Sequence, residues 1–125
     1  MTRTIRGVMN RSPLTVEADA SIATVARRLR EASARAVLIV EGGSLAGVVS
    51  RDLVTQEIAL GRDPATPVGE FASRGVRTVQ PDHPAELAAR IMREDDVRAV
   101  PVVQDARPIG LVTLDDLAAP DAPKV

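Results

Sequence analysis

The chain has no cysteine, tryptophan or tyrosine, and Phe71 is its single aromatic residue. Without thiols there are no disulfides, no thiolate nucleophile and no cysteine–metal site. Without aromatics there is no stacking platform for the bases of single-stranded nucleic acid, and the core has to be built from Val, Ala, Leu and Ile. Lysine is almost missing as well. Lys124 is the only one among 16 basic residues, and the rest are arginine, whose planar fork suits phosphate. A net charge of −1 leaves no global field to draw the chain to nucleic acid or to an anionic membrane. No apolar run approaches the length of a membrane span, and the opening MTRTIRGVMNRSP lacks the apolar centre of a signal peptide. The expectation is a soluble cytoplasmic protein with no nucleic-acid or membrane partner.

What is there is a duplication. Residues 8–50 align with residues 71–113 at a constant offset of 63, without a gap. Thr15-Val16 matches Thr78-Val79, Ala26-Arg27 matches Ala89-Arg90, Arg35-Ala36-Val37 matches Arg98-Ala99-Val100, and Gly47 matches Gly110. A repeat of this length marks a doubled structural unit. A chain of 125 residues at 45% hydrophobic content can bury a core, but half of it cannot cover its own apolar sheet face. The two copies therefore pack on each other about a pseudo-two-fold axis, with clefts between them.

Each copy reads β-α-β-β-α, an α/β (α+β) unit. In the first, Pro13–Val16 is extended. Ile22, Val25, Ala26 and Leu29 recur at helical spacing and predict a helix over 21–33. Val37–Val40 is a buried strand, Glu41–Ser44 a turn, Leu45–Val49 the returning strand, and a helix runs from Arg51 to Leu60, ended by Gly61. Asp63–Pro67 reads as linker and 68–72 as a helical turn. In the second, 77–80 is extended, a helix with Pro84 in its first turn runs to Asp95, strands follow at 99–103 and 108–112, and 114–118 begins a last helix. The expected domains are a first repeat at 1–61, a linker at 62–69, a second repeat at 70–120 and a frayed tail at 121–125.

This order, with Arg98-Ala-Val-Pro-Val-Val103 and Gly110-Leu-Val-Thr-Leu-Asp-Asp-Leu117 in the second half and Ala36–Val40 and Gly47-Val-Val-Ser-Arg-Asp-Leu53 in the first, resembles the CBS domain, which occurs as tandem pairs called Bateman modules. The resemblance covers nearly the whole chain. It implies a non-enzymatic regulatory module that needs no cofactor, binds an adenosine-containing ligand of the AMP, ADP or ATP class between the repeats, pairs as a homodimer and signals to an effector protein that the sequence does not name. It also implies that the Thr or Ser opening the last helix of each repeat, and the Asp after it, contact the ribose, while the first strand and the first hairpin strand flank the base and basic side chains take the phosphates. The chemistry stands by itself: one carboxylate can accept from both hydroxyls of a ribose diol. By this resemblance a second-half site comprises Thr113, Asp116, Arg77, Thr78, Arg98, Val100 and Pro101, and a first-half site Thr15, Arg35, Ser50, Arg51 and Asp52.

The offset holds through Ser50 and Thr113 and then breaks. Asp116 stands three residues after Thr113, but Asp52 stands two after Ser50. At about 100° per helical residue, the missing position turns Asp52 away from Ser50. Leu38 also replaces the proline found at 101, and Asp115 puts an acid where Arg51 stands in the first copy. The second-half site is therefore expected to bind and the first-half site to be weaker, and Asp115 is expected to oppose a polyphosphate. Thr113-x-x-Asp116 also fits a helix cap with no ligand. His83, in Pro-Asp-His-Pro, reads as part of a turn, and Glu94-Asp95-Asp96 as a solvated helix end. No phosphate-binding glycine loop and no catalytic triad signature is present. The competing function is a ligand-free dimerisation or scaffold module.

Overall fold

A computed structural model describes residues 3–119, and the tail expected at 121–125 lies outside them. The order is α1 (Ile5–Val8), β1 (Thr15–Glu17), α2 (Ile22–Ala32), β2 (Ala36–Glu41), β3 (Ser44–Ser50), α3 (Arg51–Ala59), a 3-10 turn (Val68–Glu70), α4 (Ala85–Asp95), β4 (Ala99–Gln104), β5 (Arg107–Thr113) and α5 (Leu114–Ala118). The Ser21 hydroxyl caps α2 by accepting from Thr24 N–H, and Ile22, Val25 and Leu29 go inward at the spacing expected of them. Pro84 sits at the N-cap of α4, one place before the first turn. Both helices end on a residue in left-handed conformation, Ser33 (φ 51°) and Asp96 (φ 54°), which hold equivalent places in the two copies.

β1 runs parallel to β2, β2 pairs antiparallel with β3, and β4 pairs antiparallel with β5. Both hairpins carry a register shift at the same place, between Ile39 and Val40 and between Val102 and Val103. Val37 and Ile39 face the helices, whereas Ala36 and Leu38 face the other repeat and pack with Leu111. Burial on both faces is why these strands read as unbroken apolar runs. Each such Val, Ile or Leu contributes about 1.5–3 kcal/mol over its exposed state.

The second sheet departs from expectation. Residues 77–80 form no strand, and Val79 makes only a single bridge to Val102. Position 101 explains this. In the first copy Leu38 N–H donates to the Leu14 carbonyl at 2.9 Å. The equivalent donor would be Pro101, which has no N–H. Among the described residues, the Arg77 carbonyl receives no hydrogen bond. One ladder bond is lost, and the counterpart of strand Thr15–Glu17 shrinks to the single bridge at Val79.

The spatial units also differ from the sequence units. Ile5 N–H donates to the His83 carbonyl and Arg6 N–H to that of Pro81; Val68 N–H donates to the Ala20 carbonyl and Gly69 N–H to that of Ala18. Ile5 lies in the core of the second half, and Val68 in the core of the first. The lead-in of each copy thus packs on the other, and the segment expected as linker carries a fully buried core residue in Val68. The exchange continues through paired backbone bonds of Asn10 with Leu111 and of Ser73 with Val48. These crossings account for the duplicated glycine: a Cβ on Gly47 would lie 2.7 Å from the Ser73 carbonyl oxygen, and one on Gly110 2.8 Å from Met9 Sδ and 3.0 Å from the Asn10 oxygen.

Candidate functional site

Each hairpin ends at a helix start, and the two helix starts are built differently. In both, the first helical N–H is held by the carbonyl of the arginine before the hairpin: Arg51 N–H donates to Arg35 at 2.8 Å and Leu114 N–H to Arg98 at 2.9 Å. In α5 the Thr113 hydroxyl accepts from Asp116 N–H at 3.2 Å, and Asp116 Oδ2 accepts from Thr113 N–H at 2.8 Å and from the Thr113 hydroxyl at 3.0 Å. This is a full capping box. In α3 the Ser50 hydroxyl accepts from Leu53 N–H at 3.0 Å, but Leu53 has no carboxylate to return the bond. Asp52 is therefore left exposed, with no hydrogen bond or ion pair among the described residues.

Between the repeats lies a cleft of about 880 Å³. It is lined by both helix starts (Ser50–Leu53 and Thr113–Asp115), by the loose chain at Ser73–Arg77, and by the end of α4 through Ala99. The cleft gathers Arg35, Ser50, Arg51, Asp52, Arg77, Arg98 and Thr113 from among the expected site residues. Thr15, Thr78, Val100, Pro101 and Asp116 do not line it. Val100 is fully buried in the second core, and Pro101 acts through the bond it cannot make.

The arrangement is shared between the two copies. The cleft does not sort its residues by repeat, because the exchanged lead-ins carry chain 73–77 across to Ser50–Leu53. The two carboxylates also differ in their bonding: Asp52 is left out of the α3 cap, while Asp116 Oδ2 is held in the cap of α5. Sequence reasoning missed Ser33, Asp96 and Arg74 as lining residues. A signal existed for the first two, since both stand 63 apart at the end of the first helix of each copy.

The charges around the cleft are mostly matched. Arg35 Nε lies 2.9 Å from Asp115 Oδ2, a bridge between the two repeats. Arg77 Nη1 lies 2.7 Å from Glu94 Oε1 and 3.4 Å from Asp95 Oδ1, and Arg74 pairs with Glu41 at 3.0 Å. The hydrogen bond from Arg77 holds the Glu94 carboxyl below its usual range, and the same bond raises Arg77. Arg51 and Arg98 are in no ion pair among the described residues. By pseudo-symmetry the counterpart of Arg35–Asp115 would be Arg98–Asp52, and that pair is not made. A free carboxylate and free guanidinium groups in one cleft can receive a diol and an anion together.

The family model for the CBS domain matches residues 5–59 and again 68–119. The chain belongs to the CBS domain family. As a CBS pair it is 30% identical over 115 residues to the CBS domain-containing protein YhcV of Bacillus subtilis, covering 91% of this chain and 82% of that one. It is 31% identical over 118 residues to Hypoxic response protein 1 of Mycobacterium tuberculosis, covering 92% and 82%. Among solved structures, the CBS domain pair of protein MJ0100, in complex with 5′-methylthioadenosine and S-adenosyl-L-methionine, superposes with a TM-score of 0.85 at 25% identity over 94% of each chain. Hypoxic Response Protein I with two coordinated zinc ions matches with a TM-score of 0.79 at 31% identity, over 92% of this chain and 96% of that one. No described helix is long and apolar enough to cross a membrane.

Proposed function

We propose that this CBS pair is a non-enzymatic regulatory module that binds an adenosine-containing ligand of the adenine nucleotide class in the cleft between its repeats and passes its occupancy to an effector protein. The observation that carries the reading is the open helix start: among the described residues Asp52 and Arg98 are in no ion pair, in a cleft whose other corner is closed by Arg35–Asp115. Asp52 takes the ribose diol, and Arg98 with Arg51 takes the phosphate. The Arg77 carbonyl, left without a donor by Pro101, is an acceptor at the cleft wall. The adenosine ligands of the MJ0100 pair support the ligand class.

The test is a thermal-shift series with AMP, ADP and ATP. A ligand that binds only the folded state raises the melting temperature by mass action, so a concentration-dependent rise with at least one of them is expected. No shift with any of the three would favour the ligand-free dimerisation reading. That second reading has its own observation, since Ile58 (48% exposed) and Leu60 (74% exposed) leave apolar surface at the end of α3. Light scattering of wild type and Ile58→Asp reads whether that surface joins two copies.

A further inference from the structure

We propose that Asp115 sets the charge of the ligand, holding the cleft to an adenosine compound with no more than one phosphate group. The proposal rests on the adenosine reading above. It starts from which arginines are still available. Arg35 is taken by Asp115 at 2.9 Å, Arg77 by Glu94 and Asp95, and Arg74 by Glu41. That leaves Arg51 and Arg98 as the lining cations outside any ion pair among the described residues. Two guanidinium groups match one phosphate dianion. Each further phosphate has to draw an arginine from its carboxylate or lie beside an acid.

Of the lining acids, Asp115 is the one that holds Arg35. Its side chain is 68% exposed and that of Arg35 is 71% exposed, so the bond between them is weak and opens readily. Opening it frees Arg35 but leaves the Asp115 carboxylate in the cleft, where it repels a second and third phosphate. Asp115 stands at the same position of α5 that Asp52 holds in α3, so one duplicated acid serves two ends: Asp52 accepts hydroxyls, and Asp115 excludes charge. A monophosphate needs only Arg51 and Arg98 and leaves the Arg35–Asp115 pair in place.

Calorimetric titration of AMP, ADP and ATP into wild type, Asp115→Asn and Asp105→Asn, at one ionic strength, tests this. Asp105 lies in the β4–β5 turn outside the cleft lining, and its positive φ of 52° suits Asn, so it changes net charge alone. In wild type AMP is expected to bind more tightly than ATP. Asp115→Asn is expected to tighten ATP on the order of tenfold and AMP by no more than about threefold, with the ATP gain shrinking as salt is raised. Asp105→Asn should change neither. Asp115→Ser serves as a second variant if Asp115→Asn is not folded. ATP binding wild type as tightly as AMP would overturn the proposal. An equal effect of Asp115→Asn on all three nucleotides, or an equal effect of Asp105→Asn, would do the same. No heat with any nucleotide in any of the proteins overturns the adenosine reading itself, and the proposal falls with it.

Discussion

The helix starts at Ser50 and Thr113 descend from one duplicated sequence and now do opposite things. At Thr113 the hydroxyl and the Asp116 carboxylate satisfy each other, and the adjoining Asp115 reaches across to Arg35. At Ser50 the third helical position holds Leu53 instead of an acid, no capping box closes, and Asp52 and Arg98 are in no ion pair among the described residues. The lesson is that an acid at the third helical position, Asp116, spends one oxygen on its own cap, while an acid at the second, Asp52 or Asp115, keeps out of it.

The largest expected effect breaks the exchange that joins the copies. At Gly47 an added Cβ meets the backbone oxygen of Ser73, whereas at Gly110 the nearest atom is the flexible end of Met9, with the Asn10 oxygen behind it. Gly47→Ala should cost about 2–3 kcal/mol and Gly110→Ala about 1–2 kcal/mol, read from urea denaturation midpoints. Equal costs would show that the two crossings yield alike. Next come the carboxylates. Asp52→Ala should weaken the nucleotide that binds wild type by about tenfold with little change in stability. Asp116→Ala should leave affinity within about threefold and cost about 1 kcal/mol through the lost cap. The opposite pattern would restore the second-half corner as the ribose site.

A smaller effect concerns position 101. Pro101→Leu restores the donor that Leu38 has in the first copy. The amide at position 101 should become protected from hydrogen exchange by the Arg77 carbonyl, stability should rise by no more than about 1 kcal/mol, and ligand affinity should fall as that carbonyl is taken up. An unprotected amide would show that the missing N–H is not what weakens the pairing at 78–80. The smallest effect is electrostatic. The folded Glu94 carboxyl is held below its ordinary value of 4.5 by Arg77, so its contribution is present above that value and lost as pH falls through the lower folded one. The pair is exposed and the effect slight. Melting temperature followed from neutral to acid pH should fall a little less in Glu94→Gln than in wild type, and identical profiles would remove the pair from the account.

Much of the fold was legible in the sequence because it rests on spacing. Ile22, Val25 and Leu29 mark one helix face, and the run Val37–Val40 marks a strand buried on both sides. The missing strand at 77–80 was less accessible, though its cause was in view: Pro101 against Leu38 is a visible difference, but its meaning depends on which carbonyl its N–H would have met. The exchange of lead-ins was not legible, since Ile5 and Val68 show no periodicity and declare their role only by where they are buried. At the cleft, Arg35 and Arg98 stand out by their doubled positions, while the other expected residues came from the family resemblance. Which carboxylate takes part in its own helix cap was not legible, because spacing along a helix does not say which oxygen is already accepting a bond.

The sequence by itself determined the duplication, the family, the aliphatic core and the break in spacing after Ser50, all of which are properties of order along the chain. Only the tertiary structure decided that the lead-ins cross, that the cleft draws on both repeats, and that Arg35–Asp115 forms while Arg98–Asp52 does not. Those outcomes depend on which donor lies within reach of which acceptor once two sheets pack face to face. Two copies of nearly the same residues can settle that competition differently.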